Sequence, residues 1–254
     1  MTEPARESQE TRGSAGSAPR RAVGVGAHGT RERILATAGR LMAERGPDAV
    51  SLREITRAAG QRNTGALQYH FGDREGLLRA LVDRHVPPVA ERRHALLDLF
   101  EDRRALVLRD VATALVSPLL AELRTPEGAA FLQVASYLIN SAETELRPDS
   151  AREALVFDAS GSFTRWAQLA APLMPEGTTG APLHRRFSAI RFTHVELGRR
   201  AGMAPGESAG LFGSQLTDLV SALLGAPMSD ETRGRLAARD SPTGPRSRHS
   251  GSRE

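Results

Sequence analysis

Residues 51–74 read Ser51-Leu-Arg-Glu-Ile-Thr-Arg-Ala-Ala-Gly-Gln-Arg-Asn-Thr-Gly-Ala-Leu-Gln-Tyr-His-Phe-Gly-Asp-Arg74, and they decide the fold. Ser51 and Glu54 form a Ser-x-x-Glu capping box, in which each side chain can satisfy an orphan backbone N–H of a helix start, so a helix opens at Leu52. Leu52, Ile55 and Ala59 share one face at helical spacing while Arg53, Glu54 and Arg57 fall elsewhere, and Gly60 supplies the left-handed backbone that ends a helix. Beyond Gln61 and Arg62, Asn63 or Thr64 offers the N-cap of a second helix, whose Ala66, Leu67 and Phe71 pack on the first while Gln68 and Tyr69 point away. Two helices joined by so short a turn make a helix-turn-helix.

Upstream, Ile34, Leu35, Ala38, Leu41 and Met42 lie on one stripe of a 31–45 helix that stops at Gly46-Pro47, which completes a three-helix unit. Between Arg31 and Arg74 eight arginines face five acids, so most of the chain's net charge of +4 sits in this segment.

Residues 30–80 resemble the DNA-binding domain of the TetR family of bacterial transcriptional regulators. The resemblance is carried by the order of the three helices, by Ala-Ala-Gly at 58–60, Gly-Ala-Leu at 65–67 and Tyr-His-Phe at 69–71, and by Gly-Asp-Arg-Glu-Gly-Leu-Leu at 72–78, where a fourth helix begins. This chain departs from the pattern by one extra residue in the 61–64 turn and by Gln68, where many members carry tyrosine. The resemblance implies that Arg53 contacts the DNA backbone or a base and that Thr64, Gly65, Ala66 and Gln68 face the groove. It also implies that Tyr69 and Arg74 hold phosphates. Glutamine can read adenine with two hydrogen bonds and alanine can touch a thymine methyl, which makes Gln68 and Ala66 the candidates for base readout. Arg62 and Asn63 lie in the lengthened turn, where Asn63 either contacts DNA or caps the helix. His70 reads as a packing residue.

The fold class that follows is all-α: an N-terminal three-helix helix-turn-helix domain at 29–75, then a helical ligand-binding and dimerisation domain at 76–239. Residues 1–28 and 240–254 are rich in small, polar and charged residues and are expected to be a disordered arm and tail. Arg20 and Arg21 would let the arm follow a phosphate backbone or a minor groove, or lie free in solvent. With 254 residues and 40% hydrophobic content the chain can bury a second core beyond the DNA module. The absence of cysteine excludes disulfides, thiolate metal sites and cysteine nucleophiles. Every one of the 34 basic residues is arginine, as a GC-rich coding sequence would give. No segment reads as a signal peptide or a membrane span, so a cytoplasmic protein without membrane contact is expected.

From Asp73 to Gly225 the helical period dominates. A helix from Asp73 should kink or break at Pro87-Pro88 before continuing to Phe100, and others are predicted near 102–123, with a bend at Pro118, and at 127–145, 149–171, 183–201 and 206–224. The last two carry wide apolar stripes, Phe187, Ile190, His194 and Leu197 on one and Phe212, Leu216, Leu219, Val220 and Leu223 on the other. The family resemblance implies that these two helices pair with their copies in a homodimer, which suits a palindromic operator. It also implies a pocket for a small-molecule effector among the middle helices. Gln133, Tyr137 and Asn140 on one helix and Phe163, Trp166 and Gln168 on the next could supply apolar walls with a few polar groups, or form an ordinary core.

Enzymatic signals are scarce. His94 and Asp98 lie one helical turn apart without a third metal ligand, and neither a phosphate-binding glycine loop nor a Gly-x-Ser-x-Gly elbow is present. No catalytic residue, metal or cofactor is expected. The expected function is sequence-specific regulation of transcription, in the family's usual mode of a repressor released from its double-stranded DNA operator by a ligand. The competing readings are a helical protein-interaction adaptor, which burial of Arg53, Tyr69 and Arg74 would indicate, and a DNA binder without small-molecule control.

Overall fold

A computed structural model describes residues 22–63, 65–103, 105–140, 150–203 and 209–240. Among these residues the chain is built from helices alone: α1 (Ala22–Arg45), α2 (Leu52–Ala58), α3 (Gly65–Phe71), α4 (Arg74–Glu101), α5 (Leu108–Leu120), α6 (Pro126–Asn140), α7 (Ala151–Ala154), α8 (Ser162–Ala170), α9 (Arg185–Ala201), α10 (Ala209–Gly225) and α11 (Asp230–Asp240). The arm residues Arg20 and Arg21, the groove residue Thr64 and the tail beyond Asp240 lie outside the described residues. α1 begins at Ala22, inside the stretch assigned to a disordered arm, and so extends the expected 31–45 helix toward the N-terminus.

The first three helices enclose their own core. Ile34, Leu35, Ala38 and Met42 of α1 meet Ile55 of α2 and Leu67 and Phe71 of α3, and Leu77, Leu78 and Leu81 of α4 close the bottom. Apolar residues at the expected helical spacing therefore do point inward.

α4 continues through Phe100 as expected, and of the kink or break anticipated at the proline pair the break does not occur. It runs unbroken through Pro87 and Pro88. Proline removes the N–H that would bond the carbonyl four residues back, and those carbonyls belong to Asp83 and Arg84, both exposed, where water can serve them. Side chains on either side of the proline pair also hold the helix in place. His85 Nδ1 lies 2.6 Å from Glu122 Oε2, and Arg92 donates to Glu122 Oε1 at 2.6 Å and to the Pro118 carbonyl at 2.7 Å. Burial would raise the Glu122 pKa, but the hydrogen bonds and charge of His85 and Arg92 outweigh it and hold the carboxyl below its ordinary value. The His85 ring stacks on Phe131 of α6, 4.6 Å between centroids.

The expected 102–123 helix is shorter. α5 opens at Leu108, where Asp110 accepts from the Val107 N–H at 3.2 Å, and passes into a 3-10 turn at Ala121, three residues beyond Pro118. The expected 149–171 helix is two helices. Between them Asp158 accepts from the backbone N–H groups of Ser162 and Phe163, both at 3.1 Å, and so satisfies the first free N–H groups of α8, whose N-cap is Gly161.

α6 and α9 pack closely, α10 lies against α5 and α9, and α1 leans on α6, joining the two domains. α11 follows with no buried residue, supported by Arg233 with Asp230 and Arg235 with Glu231 one turn apart and by Ser229 as its cap.

Candidate nucleic-acid interface

The helix-turn-helix is assembled from caps and one anchoring arginine. Ser51 Oγ accepts from the Glu54 N–H at 3.2 Å, the first half of the predicted box. The Glu54 carboxylate instead reaches Arg45 at the end of α1, 2.8 Å away. α2 ends in a Schellman motif: the Gly60 N–H bonds the Arg57 carbonyl and the Gln61 N–H the Thr56 carbonyl, each at 3.0 Å, with Gly60 at φ +72°. Asn63 Oδ1 then accepts from the Gly65 N–H at 3.0 Å, so of the two roles left open for Asn63 the structure displays the cap. Asp73 caps α4 through the Gly76 N–H at 2.9 Å. A Cβ on residue 76 would stand 2.0 Å from the Phe71 carbonyl oxygen, which explains the glycine in Gly-Asp-Arg-Glu-Gly.

With Leu67 and Phe71 buried, the opposite side of α3 presents Gly65, Gln68 and Tyr69 to solvent, with Ala66 half-buried. Tyr69 is 84% exposed, which is unusual for a tyrosine that could pack. The His70 ring sits edge-on to Tyr69 and to Phe71, in keeping with packing. Beside this face Arg53, Arg57 and Arg62 line a groove with Thr56, Gln61 and Asn63. Arg57 was not among the sequence candidates, although its position one turn after Arg53 puts both on the same side of α2.

Arg74 requires a correction. Its guanidinium donates to the carbonyl oxygens of Pro47 and Val50, both at 2.6 Å, so it ties α4 to the segment leading into α2 and is not a free phosphate ligand. Arg53 and Tyr69 are exposed, so two of the three residues whose burial would mark an adaptor are open to a partner.

The expected effector residues separate into two places. Trp166 is fully buried, donates its indole N–H to the Val111 carbonyl at 2.8 Å, and with Phe163, Val156, Phe187 and Ile190 walls a cavity of about 350 Å³ between α8 and α9. Gln133, Tyr137 and Asn140 lie elsewhere, in a surface cleft where α6 and α9 face Met42, Gly46 and Pro47 of the DNA-binding domain. There the Tyr137 hydroxyl donates to Asp48 at 2.5 Å, and this hydrogen bond raises the phenol's pKa above its ordinary value. The expectation of one shared pocket fails because α6 turns its polar side toward α1.

The expected dimer residues divide as well. Ile190, His194, Leu216 and Val220 are buried inside the protomer, because α9 and α10 spend one side of their stripes on α6 and α5. Phe187, Phe212 and Leu223 are half-buried, and Leu219 is 47% exposed. Leu211, eight residues earlier on α10, is 73% exposed.

His94 and Asp98 are spent locally, His94 against Ser160 and Asp98 on Arg165 at 2.6 Å. Among the described residues no cluster of His, Cys, Asp or Glu could hold a metal, and no helix is long and apolar enough to cross a membrane.

A helix-turn-helix with a cationic, solvent-facing reading side defines a DNA-binding protein. Residues 34–81 match the family described as bacterial regulatory proteins, tetR family. The match covers the helix-turn-helix and the first turns of α4, the segment that carries the resemblance in the sequence, and it supports a DNA-binding regulator. No curated protein matches the chain. Solved structures of similar course include a bacterial regulatory protein in the tetR family from Rhodococcus RHA1, 18% identical over 78% of this chain and 98% of that one, with a TM-score of 0.49. The TetR family transcriptional regulator PfmR from Thermus thermophilus is 20% identical over 77% of this chain and 100% of that one, with a TM-score of 0.47. NalD, the secondary repressor of the MexAB-OprM multidrug efflux pump in Pseudomonas aeruginosa, is 18% identical over 80% of this chain and 100% of that one, with a TM-score of 0.47.

Proposed function

We propose that this protein is a homodimeric repressor that binds a palindromic operator in the cytoplasm and leaves it when a small molecule fills the cavity between α8 and α9. The observation that carries the reading is the division of α2 and α3 into a buried apolar side and an exposed side bearing Arg53, Arg57, Gln68 and Tyr69, with Arg62 exposed in the turn between them. In this reading the arginines neutralise phosphates and set affinity, while Gln68 and Ala66 read base edges in the major groove. Tyr69 supports the backbone beside them. The exposed Leu211 and Leu219 on α10, beside Phe212 and Leu223, supply the apolar face that a second copy would cover. Two recognition helices must then enter successive major grooves about 34–36 Å apart.

Release requires that the ligand favour one arrangement of the domains over another. Three contacts support a link between them: Tyr137 with Asp48, Glu75 Oε1 accepting from the Ala151 N–H at 2.7 Å, and Arg84 with Glu32 at 2.8 Å. The reading is tested by selecting bound sequences from random duplex DNA with the purified full-length protein at two salt concentrations. Recovery of a two-fold symmetric site with half-sites one helical turn apart is the expected result. A selection that yields no sequence preference would overturn it.

A further inference from the structure

We propose that the effector is an apolar carboxylic acid, its body in the cavity between α8 and α9 and its carboxylate on the guanidinium of Arg93. This deepens the reading of a ligand-controlled regulator and rests on it.

Arg93 sits on α4 at a position where the helix otherwise buries apolar residues, between Ala90 and Leu97, and only 1% of it is exposed. Nη1 donates to Ser162 Oγ at 2.6 Å. Nε and Nη2 are buried without a hydrogen-bond partner. These two nitrogens form one edge of the guanidinium, and that edge carries the parallel pair of N–H donors that matches the two oxygens of a carboxylate.

The nearest acid does not fill this edge. Asp158 Oδ2 stands 3.8 Å from Nη1, beyond hydrogen-bond reach, and the Asp158 oxygens already accept from the Ser162 hydroxyl at 2.8 Å and from the N–H groups of Ser162 and Phe163. A buried cation with an unpaired donor edge carries a desolvation cost that its surroundings leave unbalanced. Burial lowers the Arg93 pKa to about 10, with Asp158 offsetting part of the effect, so the group is still a cation at neutral pH.

His194 on α9 lies within electrostatic reach of Arg93, and its Nδ1–H bonds the Ile190 carbonyl at 2.9 Å. Burial and then Arg93 push the imidazole down to about 4, so at neutral pH it adds no second positive charge. One cation partly balanced by Asp158 suits a monoanion better than a phosphate dianion.

Arg93 lies behind one wall of the cavity, with the Phe163 ring between them. The Phe163 ring centroid lies 3.8 Å from the Arg93 guanidinium carbon, and Phe163, Ile190 and Trp166 all belong to the cavity wall. An acid that displaces the Phe163 ring would reach the guanidinium and could take its Nε and Nη2 donors, leaving its apolar part among Trp166, Val156 and Phe187.

The test uses the full-length protein with phenylacetate and octanoate, each beside its primary amide, followed by calorimetry and by the fluorescence of Trp166, the chain's one tryptophan. At least one acid should bind tenfold or more tightly than its amide and alter the Trp166 emission. Arg93→Met should bring acid and amide to equal affinity while its melting temperature is kept or raised. Arg93→Lys, which retains the charge but not the two-donor edge, should lose most of the preference. Equal binding of acids and amides by the wild type, or a preference that survives in Arg93→Met, would overturn the carboxylate site while leaving the cavity as a ligand site. Absence of binding by all four compounds would overturn the site as well. If acids bind through Arg93 yet the operator complex persists, the carboxylate site stands and ligand control of DNA binding falls.

Discussion

Arg74 Nη2 donates to the carbonyl oxygen of Val50 at 2.6 Å, a bond between residues 24 positions apart in sequence. With its twin to Pro47 it fastens the start of α4 to the turn before α2. Arg74→Ala should therefore destabilise the DNA-binding domain by about 1–3 kcal/mol, since two partly buried carbonyls lose a charged donor. Chemical denaturation measures the loss. The salt dependence of whatever operator binding remains should keep its slope, and a flatter slope would return Arg74 to the phosphate ligands.

Arg57 and Gln68 separate affinity from readout. Arg57→Ala should weaken binding alike on every sequence and flatten the logarithmic salt slope by roughly 0.9, the loss of one phosphate contact. Gln68→Ala should relax preference at one base pair in each half-site at about 1–3 kcal/mol. Titration of operator variants at several salt concentrations distinguishes the two.

Leu219 and Leu216 lie on the same helix and should fail differently. Leu219→Arg changes an exposed side chain, so the protomer should fold and sediment as a monomer. Leu216→Arg places a charge in the protomer's interior and should unfold it instead. A Leu219→Arg protein that sediments as a dimer would move the interface off this face of α10.

His194 should make the protein acid-sensitive in a defined window. Its folded pKa is pushed from 6.5 down to about 4, so between those values the unfolded chain binds a proton that the folded chain refuses. Stability should fall as pH drops from about 6.5 toward 4 and lose nothing more from this group below that. A shift of this size corresponds to about 3 kcal/mol. His194→Asn, which can still donate to Ile190, should flatten the profile in that window, as denaturation at stepped pH would record.

The DNA-binding domain was legible because its determinants are local. Ser51, Gly60 and Asp73 each act within three or four residues of themselves, and the apolar spacing of α1 to α3 needs no distant partner to be read. Arg74 escaped because its acceptors are far away in sequence, and an arginine beside a DNA-reading helix looks the same whether it faces phosphate or carbonyl. The stripes of α9 and α10 were visible, but a stripe wide enough for two partners does not say which half meets α5 and α6. Asp158 could have been read as the break in 149–171, since a short acid before Ser-Gly-Ser is a cap signal. α11 has no apolar stripe to announce it. Arg93 was visible only as a charge in a buried register of α4, a local inconsistency of the kind that marks function more often than error.

The unbroken course of α4 carries one helix from the DNA-binding domain to the buried arginine. Asp73, the N-cap of α4, and Arg93 stand twenty residues apart on one continuous helix, about 30 Å along the axis at 1.5 Å per residue. A tilt of roughly 2° about the Arg93 end carries Asp73 sideways by about 1 Å, and Asp73 follows α3 after a single glycine. Movement too small to disturb packing around one guanidinium thus becomes, at the far end, a displacement comparable to the tolerance of a hydrogen bond to a base.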